Sequence, residues 1–202
     1  MKLYYAPGAC SLAPHIVIRE AGLDAKLDKV TFSAEGRHTE SGANFYTVHA
    51  QGAVPVLELD NGEVLTENQV LLQYLAAQAP KANLAPGEGM AHWRLLEMLN
   101  FIATELHKSF SPLFRKPAPD AREAALKQLQ NRFGLLEGKL GDKEYLLGGF
   151  TIADAYAFVM LLWARKFEID LSSTPKLAAY VQRVMARPGV QAALKAEGLP
   201  TG

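Results

Sequence analysis

The 202-residue chain carries 21 basic and 21 acidic side chains, for a net charge of zero, and is 49% hydrophobic and 9% aromatic. That composition excludes a disordered polyelectrolyte, and the balanced charge exerts no global pull toward nucleic acid or an anionic membrane. No run of about 18 or more apolar residues is present to cross a bilayer, and the stretch before Pro7-Gly8 lacks the apolar core of a secretion signal.

A single cysteine, Cys10, excludes an internal disulfide and a cysteine-based structural zinc site, and fits a reducing, cytoplasmic setting. The five histidines, at 15, 38, 49, 92 and 107, show no metal-binding spacing, so no metal is expected.

In chain order, residues 2–5 are strand formers that end at Ala6-Pro7-Gly8, where proline and glycine enforce a turn. Ser11 is placed to cap a helix that buries Ile16, Val17 and Ile18, with Pro14 tolerated in its first turn and Gly22 stopping it. Residues 27–32 alternate as a second strand. A polar stretch, 33–42, then leads into a short helix or irregular turn through Phe45 and Val48. Residues 54–59 read as a strand joined through the hairpin turn Asp60-Asn61-Gly62 to residues 63–65. Beyond Thr66, the apolar positions Val70, Leu71, Tyr74 and Leu75 recur at helical spacing. The order β-α-β-α-β-β-α requires a small sheet with helices packed against it.

Residues 80–89 contain two prolines and two glycines and mark the linker. Downstream, helical patterns cover residues 90–113, 120–140, 152–166, 175–186 and 188–196. The expected architecture is thus an α/β domain over residues 1–80 followed by an all-α domain over residues 87–202. Thr151-Ile152-Ala153-Asp154 is a capping-box variant in which the Asp154 carboxylate reaches back to the Thr151 N–H. Its loss would cost about 0.5–2 kcal/mol at ordinary exposure, and no catalytic weight falls on it.

Cys10 has two readings: a small buried hydrophobe, or a thiol at a helix start whose unpaired N–H groups and dipole lower its pKa below about 8.5. Ala53-Val54-Pro55 precedes a strand. With a cis proline the Val54 backbone would face outward to pair with a peptide-like ligand, and a trans proline at a strand start is the commoner case. Thr66-Glu67-Asn68 either caps the next helix or receives a carboxylate or α-amino group. In the segment 103–108, His107 shares a helical face with Ala103 and lies near Asn100. It faces either inward or, with Lys108, toward solvent.

These pieces resemble the bacterial beta-class glutathione transferases. The shared stretches are MKLYYAPGACSLAPHIVIREAG, GAVPVLELDNGEVLTEN, LNFIATELHKSFSPLF, FTIADAYAF and RPGVQAALKAEGL, spread over essentially the whole chain. The resemblance implies the cytosolic glutathione transferase architecture, with a thioredoxin-like N-terminal domain that binds glutathione and an all-α domain that contributes the electrophile site. It implies that Cys10 faces the glutathione sulfur, with Tyr5 and Ser11 beside it. Val54 matches the residue that pairs with the cysteinyl backbone, Pro55 the family's cis-proline, and Glu67 the acid that holds the γ-glutamyl amine. Asn68 stands where the family commonly has serine or glycine and is retained as a contact. Arg37 is the nearest basic match for the glycyl carboxylate, in a segment a couple of residues longer than in relatives. Gln51 shares the Val54 loop, and Asn100, His107 and Lys108 match a polar wall in the helical domain. Tyr5, Phe110, Phe114 and Trp163 are candidate apolar walls.

Glutathione is therefore the expected co-substrate and a small hydrophobic electrophile its partner, with Cys10, Ser11 and His107 as the catalytic candidates. The resemblance also implies a homodimer. Two other functions fit the same scaffold: glutathione-dependent thiol-disulfide exchange or reductive dehalogenation through Cys10, and a noncatalytic protein-interaction module.

Overall fold

The computed structural model describes residues 1–202. Five strands, β1 (Lys2–Tyr5), β2 (Lys26–Ser33), β3 (Gly36–Thr39), β4 (Val56–Glu58) and β5 (Val64–Leu65), form one sheet of order β3-β2-β1-β4-β5. The central strand β1 pairs parallel to β2, with Leu3 opposite Leu27, and antiparallel to β4, with Leu3 opposite Leu57. The parallel pair needs a crossover, which helix α1 (Leu12–Glu20) supplies. Every α1 residue from Leu12 to Ile18 is buried, because α2 (Asn68–Gln78) and α8 (Pro188–Ala196) both pack on it.

The β3 strand lies within the polar stretch 33–42, where the sequence predicts no strand. β2 turns through Ala34-Glu35 and returns as β3, with Phe32 opposite Arg37. Only Thr39 of β3 is buried, so no apolar alternation announces the strand. The next expected element, through Phe45 and Val48, is a single 3₁₀ turn, Phe45–Thr47. It anchors Phe45 in a small core with Tyr4, Val30 and Val56.

The second group of elements is helical: α3 (Gly89–Phe101), α4 (Ser111–Phe114), α5 (Pro119–Leu140), α6 (Ile152–Lys166) and α7 (Pro175–Met185). The long pattern expected over residues 90–113 is one helical run whose winding changes. α3 widens into a π turn, Ile102–His107, and then tightens through a 3₁₀ turn, Lys108–Phe110, into α4. π segments are rare and cluster at functional sites. α6 is buried along nearly its whole length and packs against α3 and the π turn. Its capping box is formed, with the Asp154 carboxylate 2.8 Å from the Thr151 N–H.

Two compact units emerge, Met1–Leu84 with Met185–Gly202, and Ala85–Val184. The C-terminal residues, read from sequence as the end of the helical domain, thus lie on the sheet-bearing unit. The cause is local: Val190, Ala193 and Leu194 of α8 are buried, and Arg187 pairs with Glu20 of α1 at 2.5 Å. A Cβ at Gly189 would fall 2.7 Å from the Glu20 side chain, so glycine permits the close approach. No helix is long and apolar enough to cross a membrane.

Candidate active site

The loop between β1 and α1 is built as a rigid turn. Gly8 takes φ +67°, a conformation glycine adopts without steric cost, and the Ala9 N–H closes on the Ala6 carbonyl at 3.0 Å. Ser11 stands at the helix N-cap but does not cap. It is fully buried, and its hydroxyl accepts the Ala6 N–H at 3.1 Å and donates to the Ala6 carbonyl at 3.2 Å. The structure therefore commits that hydroxyl to the turn, where the sequence suggested a helix cap.

A second tie holds the same loop. The Gly8 N–H donates to Glu197 Oε2 at 2.9 Å, while Glu197 Oε1 lies 2.8 Å from His15 Nδ1 and Arg19 Nε donates to His15 Nε2 at 3.3 Å. The His15 and Glu197 side chains are fully buried. Sequence reading missed this pair because the two residues are 182 positions apart, in two separate shared stretches that nothing in the sequence links. Tyr5 is buried at the end of β1 with its ring 5.9 Å from that of His15.

Cys10 is half-buried, and its thiol donates to the Val54 carbonyl at 3.3 Å. Burial pushes the thiol pKa up to about 12; the N–H groups of Cys10 and Ser11 pull it down only in part, and the negative charge of Glu67 adds to the rise. The helix-start argument from sequence has the right sign for those N–H groups, but desolvation outweighs them. Before any ligand binds, Cys10 is a neutral thiol.

The Val54–Pro55 peptide bond is cis, and Pro55 is buried at the start of β4. Glu67 is exposed at the N-cap of α2 with φ +67°, unusual for a residue with a side chain. Such a backbone costs on the order of 1–3 kcal/mol and persists where function keeps it. Neither Glu67 nor its neighbours cap the helix through a side chain. Asn68 is only 7% exposed, yet neither its amide oxygen nor its amide nitrogen has a hydrogen-bond partner. Buried polar groups of that kind are rare and call for an explanation. Arg37 of β3 donates from Nη1 to the carbonyls of Gln51 and Gly52 and stacks 4.7 Å from the Phe32 ring, so it braces the loop that leads to Val54. Gln51 itself is exposed. Cys10, Val54 and Glu67 thus converge in one unit, with Gln51 on the loop that leads to Val54 and Arg37 bracing that loop from β3.

In the helical unit, His107 closes the π turn. Its Nδ1 lies 2.6 Å from the Tyr156 hydroxyl, and its ring meets the edges of Tyr156 and Trp163 at 5.7 and 5.1 Å. Burial, with a smaller contribution from Lys108, lowers its pKa to about 4. Asn100 and Lys108 are exposed. Trp163 continues into an aromatic cluster, 5.4 Å from Phe110 and 4.8 Å from Phe114, and Phe114 remains 47% exposed. Histidine, cysteine, aspartate and glutamate side chains nowhere gather in a group able to hold a metal ion.

Residues 8–78 match the model of the glutathione S-transferase N-terminal domain, and residues 101–188 that of the C-terminal domain. A thioredoxin-like mixed sheet followed by an all-helical domain is the architecture of these enzymes, and the chain belongs to the glutathione S-transferase family. Glutathione S-transferase GstA of Escherichia coli O157:H7 is 43% identical to it, covering 98% of this chain and 100% of that one. Among solved structures, a sphingomonad glutathione S-transferase complexed with glutathione superposes with TM-score 0.92 at 45% identity, over 99% of this chain and 100% of that one. The bacterial beta-class enzyme of Sphingomonas chungbukensis gives TM-score 0.93 at 46% identity, with the same coverage. Within the family, the chain is of the bacterial beta class.

Proposed function

We propose that the protein conjugates glutathione to hydrophobic electrophiles. One observation carries the reading: segments distant in sequence meet at a single thiol, with Cys10 hydrogen-bonded to Val54 and within the field of Glu67. A tripeptide with an ammonium at one end, a thiol in the middle and a carboxylate at the other fits that set. Glu67 takes the γ-glutamyl ammonium, the Val54 backbone pairs with the cysteinyl unit beside cis-Pro55, and Cys10 faces the sulfur. The unpaired Asn68 amide supplies polarity next to Glu67. Arg37 has N–H groups beyond those on the loop carbonyls and can take the glycyl carboxylate, with Gln51 nearby. Tyr5 and Ser11 support the site from beneath.

In this reading residues 1–80 form the glutathione-binding domain, and the helical part of residues 87–202 that lies within Ala85–Val184 contributes the electrophile site through Asn100, His107, Lys108 and the aromatic cluster. Glutathione brings its own nucleophile, so Cys10 need not ionise. The elevated Cys10 pKa counts against thiol exchange as the principal activity, since the attacking species there is a thiolate. The protein is read as a cytoplasmic homodimer; Met90 and Trp93 on α3, 67% and 62% exposed, supply apolar surface of the kind a subunit interface covers.

Calorimetric titration with glutathione under reducing conditions should show one site per subunit, and a chlorodinitrobenzene assay should show conjugation. Absence of binding would remove the proposal. Glu67→Ala should weaken glutathione binding by about 1–3 kcal/mol, the worth of a hydrogen bond to a charged group. Arg37→Ala should do less, because part of its guanidinium already serves the loop. Undiminished affinity in both variants would mean that the two ends of glutathione are misplaced.

A further inference from the structure

His107 and Tyr156 form a short polar contact in the helical unit, and its chemistry fixes what the histidine can do. A neutral imidazole has one N–H and one acceptor nitrogen. A phenol is the stronger acid and an imidazole nitrogen the stronger base, so across 2.6 Å the shared proton belongs to Tyr156, with Nδ1 accepting. The phenol oxygen keeps its lone pairs for other donors. Tyr156 is 1% exposed on α6, close behind the capped start of that helix, and Trp163 of the same helix also packs edge-to-face with the His107 ring, at 5.1 Å. The ring therefore has little room to turn over.

We propose that Tyr156 is a positioning residue that locks His107 in the tautomer bearing its proton on Nε2, making His107 a neutral hydrogen-bond donor for electrophiles that gather charge on an oxygen. The inference rests on the placement of His107 at the electrophile site proposed above. The charged groups around it agree: Lys108, next in the chain, is exposed, and Glu105 on the same turn is engaged by Arg132 of α5 at 3.0 Å. Burial keeps the ring neutral through the physiological range. His107 then cannot take the glutathione proton, because Nδ1 is occupied and Nε2 is already protonated.

In conjugate addition to an unsaturated carbonyl, glutathione gives its thiol proton to solvent and the thiolate forms the C–S bond; the alkene π pair becomes the enolate C=C and the carbonyl π pair moves onto the oxygen. The Nε2–H stabilises that oxygen without transferring its proton, and solvent later protonates the enolate carbon. Nitro-bearing aryl halides gather charge on nitro oxygens in the same way, and halide leaves with the electron pair. A simple alkyl iodide offers no such oxygen. The site is thereby assigned to oxygen-activated electrophiles.

Nitrogen-15 spectra of the imidazole groups, with His107 identified through His107→Gln, read the tautomer directly. The expected result is an Nε2–H tautomer between about pH 5.5 and 8, where an ordinary histidine titrates. In Tyr156→Phe, the His107 signals should become a tautomer mixture. The kcat of that variant for a conjugated carbonyl should fall about tenfold, the scale of one lost hydrogen bond, with the KM for glutathione and the rate with methyl iodide unchanged. An Nδ1–H tautomer in the wild-type protein overturns the lock, and that spectrum decides it even where the variant is unstable. The Nε2–H tautomer, combined with undiminished carbonyl rates in both His107→Gln and Tyr156→Phe, overturns instead the placement of His107 at the electrophile site; glutathione affinity moves in neither case.

Discussion

Iodoacetamide should alkylate Cys10 in the native protein about a thousandfold more slowly at pH 7.5 than it alkylates an unhindered thiol. The attacking species is the thiolate, and a free cysteine has a pKa near 8.5. At a pKa of about 12, the native Cys10 thiolate is rarer by roughly three orders of magnitude. The pH profile separates this cause from simple crowding. Restricted access lowers the limiting rate without moving the pH at which it is reached. A raised pKa makes the rate climb about tenfold per pH unit past pH 10. Glu67→Gln should speed the reaction modestly, because Glu67 contributes to the rise, and denaturant should restore ordinary reactivity. A rate that levels off below about pH 9 would show that the helix-start N–H groups win after all. Thiol exchange would then regain its claim. The same thiol divides the two chemistries: Cys10→Ala removes the only cysteine, so a covalent glutathione adduct is impossible, while conjugation retains its nucleophile.

Much of the fold was legible because local chemistry and tertiary placement agree. Proline and glycine mark the β1–α1 turn, Asp60-Asn61-Gly62 joins β4 to β5, and the expected spans 152–166 and 188–196 match α6 and α8. Where the reading failed, the decisive interaction lies outside any sequence window. β3 exists because Arg37 and its neighbours pair with β2, although only Thr39 there is buried. The π turn at Ile102–His107 carries an ordinary helical sequence, and its widened winding shows only in the backbone. The Cys10 pKa depends on how much protein surrounds the sulfur, and neighbouring letters do not encode that. Likewise the Asn68 amide looks like a helix cap in sequence, and only its burial without a partner shows otherwise.

Asp154→Ala should destabilise the protein by about 4 kcal/mol, well beyond the range for an exposed helix cap. The carboxylate is fully buried and accepts from the Leu146 N–H at 2.9 Å, the Thr151 N–H at 2.8 Å, the Thr151 hydroxyl at 3.0 Å and the Tyr180 hydroxyl at 2.9 Å. Alanine leaves all four donors without that acceptor in a site too enclosed for water to replace it freely. The hydroxyls can rotate toward other acceptors; the two backbone N–H groups cannot, and each stranded donor costs about 1–3 kcal/mol. Burial raises the Asp154 pKa and the donors offset only part of that, so the ionised carboxylate carries a desolvation cost. Asp154→Asn removes that cost and keeps one acceptor oxygen, and it should recover about half of the lost stability. Urea unfolding of the three proteins measures the differences. A loss below about 2 kcal/mol in Asp154→Ala would reduce this carboxylate to an ordinary cap. The effect should also reach the site, because Asp154 anchors the start of α6 and Tyr156 follows it within the first turn. In folded Asp154→Asn, the His107 tautomer signal should therefore broaden before glutathione binding changes. A narrow, wild-type signal at reduced stability would show that the cap and the His107 contact are energetically separate.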